Sequence, residues 1–596
     1  MTIEEVNNRI LMLETAAFKN ESVGNARGIN IEIPAQEKRI ITFENFHFLS
    51  NTFIRNVEFT GVISFLNCTF SGLLSLENMI VNDDGDEPDN PSVTFAGCDF
   101  NGKSVVIVNS HFAAEINFSL SKNISRLSVK KSKFDKLCSF IDTNIVAGIE
   151  MDSNEFQAFE IYKLEVVTTL VADCSFKSIL LHNSKFDGIF SLKSSAIEGE
   201  FYITDCFFHS DFNIRGLVNC GENSKLHINQ SSFDKPATIN YSDISGESKV
   251  NDISDESKVD GFRQLSIGSI VSNNVFEIIG NPDAMHVNVV RNIKVAPTNR
   301  FQGQLKIEHL SIGTLYVTGE NYTGNIVLNN LMIGVKFLMY KFLNYSNFQL
   351  INIDTRVGAY DLSFEVVESH LDKVQFINCR IDKFKDYLIY NSNLSQIRSS
   401  NTKWFDFKKL FKKAKEDIFF SLPHNKLNAK ISISKFDFIA NMQETFRQLK
   451  HAMNNQGDKF NALNFRTYEH SAAYEMMKLD PSATCNDKLI LFFGKINNYG
   501  LSWSKPLLWW GVVNLIMSIL LITVTHKAGY CHFSSFIYHN NIFVQLLNPV
   551  HNLDNVFSNS CFSIGNAAYW LDYISRIVSG FFIFEIISAF RKFIKN

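Results

Sequence analysis

The 596-residue sequence predicts a mostly β chain: a β-solenoid over its first two thirds, then an α-helical stem and a two-helix transmembrane hairpin. Three observations carry that expectation. Up to about residue 400, apolar residues recur as pairs two apart with a third about five further on, and the set repeats roughly every 9 to 11 residues. Near residue 403 the apolar spacing turns from strand-like to helical, and the charge changes sign with it. Two long apolar runs follow, beginning near Pro506 and Trp570.

Charge and composition fit this division. Residues 1–402 carry 35 Lys+Arg against 48 Asp+Glu (−13), residues 403–500 carry 16 against 10 (+6), and the remainder 6 against 3 (+3), which adds to the overall −4. An asymmetry of this kind points to parts that face different partners. Phe is over-used at 55 residues and Pro scarce at 10, as repeated short strands require. Glu4 and Glu5 stand where a signal peptide wants positive charge, so the bulk of the chain is expected in the cytoplasm. Cys68, Cys98, Cys138, Cys174, Cys206, Cys220 and Cys379 form no CxxC pair and are expected to be reduced packing residues.

Residues 1–39 are expected to cap the solenoid, which runs over 40–402. Its repeat is plainest in Leu127, Val129 and Phe134, then Cys138, Phe140 and Ile145, then Ile149, Met151 and Phe156. It resumes at Ile179, Leu181 and Phe186, then Phe190, Leu192 and Ile197, then Phe201, Ile203 and Phe208. Leu305, Ile307 and Ile312 match Ile326, Leu328 and Ile333. Two apolar residues with one between them make the inward face of a very short strand, and "DSNEF", "HNSKF" and "TDCFF" supply the bends. Coils of about 21 residues, stacked about 4.8 Å apart, would bury one continuous column of Phe, Ile, Leu and Val. A β-sandwich of short strands is the alternative; it predicts longer alternating segments and no fixed period. These sets resemble those of right-handed β-helices and, more loosely, of pentapeptide-repeat proteins, which implies a right-handed β-solenoid.

Two acidic loops interrupt the period. "NDDGDEPDN" (82–90) has Asp83, Asp84, Asp86 and Asp89 but not the spacing or closing Glu of an EF-hand, so it reads as a solvated loop. "DISGESKVN" followed by "DISDESKVD" (243–260) is a tandem polar duplication.

The stem spans 403–487. In "KWFDFKKLFKKAKEDIFF" one helical face would hold Trp404, Phe407, Leu410, Phe411, Ala414 and Ile418. Lys408, Lys409, Lys412, Lys413 and Lys415 fall mostly on the other face. That helix is expected to cap the open solenoid end, and its lysines are candidates for a membrane surface. Phe438, Met442, Phe446, Leu449 and Met453 form the next stripe, and Phe460, Leu463, Phe465, Tyr468, Ala472 and Met476 another. Gly457 ends one helix and Asp458 caps the next, giving an αα-hairpin of the tetratricopeptide kind. "FRQLKHAMNNQGDKFNALNF" is similar to a segment that follows β-solenoid or pentapeptide repeats in many bacterial membrane proteins and precedes two transmembrane helices there. The resemblance implies a connector without catalysis, so Arg447, Glu469 and His470 are expected to be surface or hairpin-pairing residues.

The membrane region covers 488–596, with spans over 506–527 and 570–590 and an extracytoplasmic loop over 528–569. Leu507 to Val524 is free of charge, with Trp509 and Trp510 at its start. Lys488, Lys495 and Lys505 precede the first span, and Arg591, Lys592 and Lys595 follow the second. Lys527 is the single basic residue between the two apolar runs, so both termini are expected in the cytoplasm. Cys531 and Cys561 would then face the oxidising side, as a bonded pair or as two thiols. At about 1.5 Å per residue, Glu585 lies roughly 9 Å from Arg591 and Asn514 about 12 Å from Pro506. Similar depth makes Asn514, Ser518 or a neighbouring subunit the expected partner of Glu585, as helix glue or as a ring lining a pore. Asp572 and Arg576 crowd the other end of the second span.

Two spans around a loop resemble the frame of two-helix potassium channels, whose TxGYG motif has only "SIGNA" (563–567) to match it. Asn566 replaces the aromatic there, so selective conduction is not implied. No Walker loop, GxGxxG, GxSxG, HExxH or CxxC is present, and neither a cofactor nor catalysis is expected. The sequence therefore predicts a bacterial inner-membrane, two-pass protein. Its solenoid would bind or sense a protein or other ligand, and its hairpin, in a homo-oligomer, would alter permeability as antiviral defence effectors do. A non-conducting scaffold is the alternative, and a DNA-mimicking solenoid a further one; direct nucleic-acid binding is not expected of so acidic a rod.

Overall fold

A computed structural model describes residues 1–35, 38–82, 93–217, 224–240, 264–268, 270–272, 275–280, 289–356, 362–405, 418–420, 431–482, 484–525, 543–554 and 565–594. They fall into two compact units, Met1–Leu410 and Phe411–Asn596.

In the first unit, parallel strands wind through about 15 turns of a β-solenoid. The coil begins earlier than the apolar period suggests, because strand Thr15–Lys19 already pairs with Lys38–Glu44, setting Ala16 beside Ile41 and Phe18 beside Phe43. Only helix α1 (Ile3–Met12) is the cap. Thr2 and Glu5 form a capping box at its start, and Val6 and Ile10 are fully buried against the first coil. At its other end the buried Arg39 donates Nη1 to the carbonyls of Ile10 and Leu13, at 3.2 and 2.7 Å, answering helix C-terminal acceptors.

Every member of the eight apolar sets is buried. Their spacing becomes register: Leu127 lies beside Ile149 and Val129 beside Met151, while Leu305 and Ile307 lie beside Ile326 and Leu328. Because each coil sets like residues beside like, the phenylalanines stack. Phe18, Phe43, Phe65, Phe95, Phe118 and Phe140 form one column with successive ring centroids 4.8, 5.2, 4.8, 4.6 and 4.9 Å apart. Phe112, Phe134, Phe156 and Phe176 form another at 5.2, 4.6 and 5.0 Å. Those distances match the spacing of neighbouring strands and lie in the favourable range for offset rings, which accounts for the heavy use of Phe.

The corners follow a rule that the hydrophobic period does not show. At many of them a residue in the left-handed region turns the chain and the next residue points inward, carrying a hydroxyl, thiol or amide; at others, as at Lys163–Leu164 and Asn45–Phe46, the inward residue is apolar. Asn109, Lys131, Ser153, Asp173 and Ser194 have φ of 51°, 50°, 56°, 52° and 47°, and Ser110, Ser132, Asn154, Cys174 and Ser195 follow them. Asn often takes the left-handed turn because its short amide tolerates that conformation. The inward groups satisfy backbone where the strand ladder breaks: Ser110 N–H donates to Ser132 Oγ (3.2 Å), Ser132 N–H to Asn154 Oδ1 (2.9 Å), and Cys174 N–H to Ser195 Oγ (3.3 Å). Cys68, Cys98, Ser121 and Thr143 occupy the equivalent corner and donate to the carbonyls of Phe43, Phe65, Phe95 and Phe118 in the preceding coil. Six solenoid cysteines are thus free and buried, and Cys68, Cys98, Cys174, Cys206 and Cys379 among them donate to backbone carbonyls.

Loop 243–260 and, apart from Asn82, loop 82–90 lie outside the described residues, as does Cys220. On their far sides the coil resumes in register, Val93 pairing with Ile63 and Leu265 with Leu226. The last coil keeps Trp404, whose Nε1 donates to Ser399 Oγ, and the buried Phe405. This corrects the expected basic helix at both ends. Trp404 belongs to the solenoid, and Ile418 lies in strand Ile418–Phe420, antiparallel to Ile431–Ile433. Lys408, Lys409, Lys412 and Lys413 are outside the described residues.

The second unit holds α2 (Lys435–Asn455), α3 (Lys459–Leu479), α4 (Cys485–Ile496), α5 (Ser504–Thr525) and α6 (Asn566–Ile594). Ser434, Asp458 and Thr484 cap α2, α3 and α4 through their side-chain oxygens. Phe438, Met442, Phe446, Leu449 and Met453 are buried as the stripe requires, and Gly457 makes the turn to α3 at φ +78°. On α3 the stripe is only partly used: Phe465 and Ala472 are buried, whereas Phe460 is exposed. Glu469 pairs with Lys450 across the hairpin at 2.6 Å, Arg447 with Glu444 on its own helix, and His470 stacks on Tyr499.

Candidate functional site

α5 and α6 are each long and apolar enough to cross a membrane. A core helix of a soluble protein would be mostly enclosed. Here only 22 % of each apolar window is buried, and Leu508, Leu515, Ile516 and Ile519 on α5 and Ile577 and Phe584 on α6 stand open. The two helices run antiparallel, fixed by Trp503 stacking on Phe590 and by Ser579 donating to Asn514 Oδ1 at 3.0 Å. Their polar residues turn toward each other, and a seam with three polar levels results.

The middle level is Asn514, Ser518 and Ser579, each almost fully buried. Asn514 Nδ2 donates to the Trp510 carbonyl at 2.9 Å, while Ser518 Oγ donates to the Asn514 carbonyl at 2.7 Å. Each side-chain donor thus has an acceptor on its own helix or across the seam, as an apolar setting requires. Ser575, one turn from Ser579, lies buried on the same face.

One end holds a buried ionic cluster. Asp572 accepts from His551 Nε2 at 2.5 Å and pairs with Arg576 at 2.7 Å. The carboxylate holds the His551 imidazole above its ordinary pKa, the hydrogen bond from the ring contributing most. Close by, Tyr569 donates its hydroxyl to Asp554 at 2.7 Å. Arg576, expected near one end of the second span, therefore serves the carboxylate beside it and ties in the segment before α6.

At the opposite end Glu585 accepts a hydrogen bond from Asn497 Nδ2, just beyond α4. This corrects the expected pairing of Glu585 with Asn514 or Ser518. In an antiparallel pair, six residues past Ser579 lie level with six residues before Asn514, so Glu585 stands opposite Leu508, about 9 Å along the axis from the Asn514–Ser579 bond. Two depths counted from opposite chain directions gave the expectation; the register decides against it. The link continues into the stem, because Thr467 Oγ1 on α3 donates to the Asn498 carbonyl at 3.4 Å and His470 stacks on Tyr499 at 5.1 Å.

Asn497, Ser579 and the His551–Asp572 pair are functional candidates that sequence reasoning missed. A signal existed for Ser579: Asp572, Ser575 and Ser579 fall on one helical face at spacings of three and four, the small-residue pattern of closely packed helices. Cys531 and Cys561 lie outside the described residues, as do Ser563 and Ile564 of "SIGNA", whose Asn566 and Ala567 open α6. Among the described residues no three His, Cys, Asp or Glu side chains gather as metal ligands. The arrangement can hold two helices together and join them to the stem. Comparison with family models, with curated proteins and with solved structures gives no match to this chain.

Proposed function

We propose that the chain is a membrane-anchored scaffold whose β-solenoid is a binding rod for a protein or other ligand and whose α5–α6 hairpin is its anchor. One observation carries this reading: the polar side chains Asn514, Ser518, Asp572, Ser575 and Ser579 are buried between the two helices, while their outer faces are apolar and exposed. In lipid such a hairpin turns its polar groups inward, where Asn514, Ser518, Asp572 and Ser579 find partners, and the lipid meets Leu, Ile, Val and Phe. The excess of basic residues flanking the two helices favours both termini in the cytoplasm of a bacterial cell, with the hairpin in the inner membrane.

A second reading, an oligomeric channel-like or permeabilising effector of antiviral defence, draws on the Asn497–Glu585 contact. That contact ties the stem connector to α6, so strain in the stem would reach the hairpin. Dye-filled vesicles containing the full chain separate the two readings. A scaffold leaves the dye trapped with or without Glu585→Ala; an effector releases it, and Glu585→Ala stops the release.

A further inference from the structure

We propose that α4 is a third membrane-contacting element, an interfacial helix that lies in the cytoplasmic leaflet and takes anionic phospholipid headgroups as its ligand. The proposal rests on the membrane reading of the hairpin.

The helix reads "CNDKLILFFGKI". At about 100° per residue, Cys485, Leu489, Phe492, Phe493 and Ile496 share one arc, and Lys488 and Lys495 lie together along one edge of it while Asp487 and Gly494 lie opposite. Leu489, Phe492 and Phe493 are 45, 49 and 41 % exposed, a large apolar load for a helix of 12 residues. Three large apolar side chains on one short helix need a cover.

What covers them is set by the neighbours. Lys495 lies over the Tyr474 ring of α3 at 4.9 Å yet stays exposed, so the basic side of α4 borders the stem and keeps its lysines open. Phe493 meets the edge of Phe581 on α6 at 5.1 Å, so the apolar side runs on into the outward surface of the hairpin. Asn497 then pins the end of α4 to Glu585, which stands opposite Leu508, at the start of the charge-free run of α5. A bilayer that covers Leu507 to Val524 therefore ends at the height where α4 docks. An apolar arc at that height enters the boundary between headgroups and acyl chains, about 5–10 Å deep, while the lysine ammonium groups reach up to phosphates. Lys505, exposed beside Trp503, adds a third cation at the same level. A soluble protein on this arc would have to displace the lipid beside Phe581, whereas the leaflet is already there.

The test uses the full chain with Cys220, Cys485, Cys531 and Cys561 replaced by Ser, leaving the six buried solenoid thiols unreactive. An environment-sensitive fluorophore is attached in turn at Leu489→Cys, Phe492→Cys, Asp487→Cys and Leu515→Cys, in vesicles of phosphatidylcholine with phosphatidylglycerol. Nitroxide lipids report depth. We expect the labels at 489 and 492 to be blue-shifted and quenched more by a nitroxide near the headgroup than by one at the chain end. The label at 487, opposite the apolar arc, should stay aqueous, and the label at 515 should be quenched by the deep nitroxide. Reversing Lys488 and Lys495 to Glu should shift the balance of immersed and aqueous helix about fivefold per charge, and neutral vesicles should show a weaker signal. Aqueous emission at 489 and 492 with deep quenching at 515 overturns the proposal and leaves the anchor standing. Aqueous emission at 515 overturns both. Immersion unaffected by lipid charge and by the Glu substitutions overturns the choice of an anionic ligand.

Discussion

Asn154→Ala is the substitution that bears most directly on how the solenoid closes its corners. Asn154 is 1 % exposed; its Oδ1 accepts from Ser132 N–H at 2.9 Å, and its Nδ2 donates to the Val129 carbonyl at 2.8 Å. Alanine leaves the Ser132 N–H buried without an acceptor, which costs about 1–3 kcal/mol, and the lost amide volume brings the total to about 2–4 kcal/mol. Solenoid coils open locally, so amide hydrogen exchange on the full chain is the suitable assay. Protection at the coils around 122–172 should fall about 30- to 800-fold, since a tenfold change corresponds to about 1.4 kcal/mol. Asn154→Ser should recover at least half of that loss, because Ser132 and Ser195 already accept from the preceding coil in the same column. Equal losses for Ala and Ser, or a loss for Ala below about 0.5 kcal/mol, would refute the corner rule.

Four further outcomes are expected. In detergent, a double-mutant cycle between Asn514→Leu and Ser579→Ala should give a coupling of about 0.5–2 kcal/mol for the seam bond, against none for Ile516 with Ser579. The bond from His551 to Asp572 should hold the segment before α6 most firmly at low pH: the folded-state pKa of His551 is raised above 6.5, so its contribution is complete below 6.5 and fades as pH rises through the raised value. Limited proteolysis near 551 against pH reads this, and Asp572→Asn should flatten the profile. Glu585→Gln should keep α4 docked, since Gln still offers an acceptor to Asn497, whereas Glu585→Leu should raise exchange at residues 493–499. A bulky maleimide should label Cys485 quickly in the folded chain and leave Cys68, Cys98, Cys138, Cys174, Cys206 and Cys379 untouched, because they are buried; burial also pushes the thiols of Cys174 and Cys379 up to about 11 and that of Cys206 to about 12.

The solenoid was legible because its signal is periodic and local. Leu127, Val129 and Phe134 announce a strand and a bend within eight residues, and stacking turns that spacing directly into register. The first coil escaped notice because Ala16 takes an inward position where the period shows larger residues, so the pattern fades before it ends. The corners were half visible: "DSNEF" and "TDCFF" read as bends, but the left-handed residue followed by an inward Ser, Cys or Asn is a conformational rule that hydropathy does not register. The helical hairpin showed its apolar runs and the acidic Glu585 within one of them. Its phase was hidden, since the partner of that carboxylate lies 88 residues away, and only the Asn514–Ser579 register decides which residues stand level. Trp404 looked helical because two aromatic residues and a row of lysines fit a 3.6-residue period; packing on the last coil prevails over that local preference.

The central claim is that lipid surrounds α5 and α6. Alkaline carbonate extraction of membranes from cells making the full chain, followed by flotation, tests it most directly. The protein should float with the lipid and leave it only in detergent; recovery of the intact chain in the carbonate supernatant as a soluble species would contradict the account.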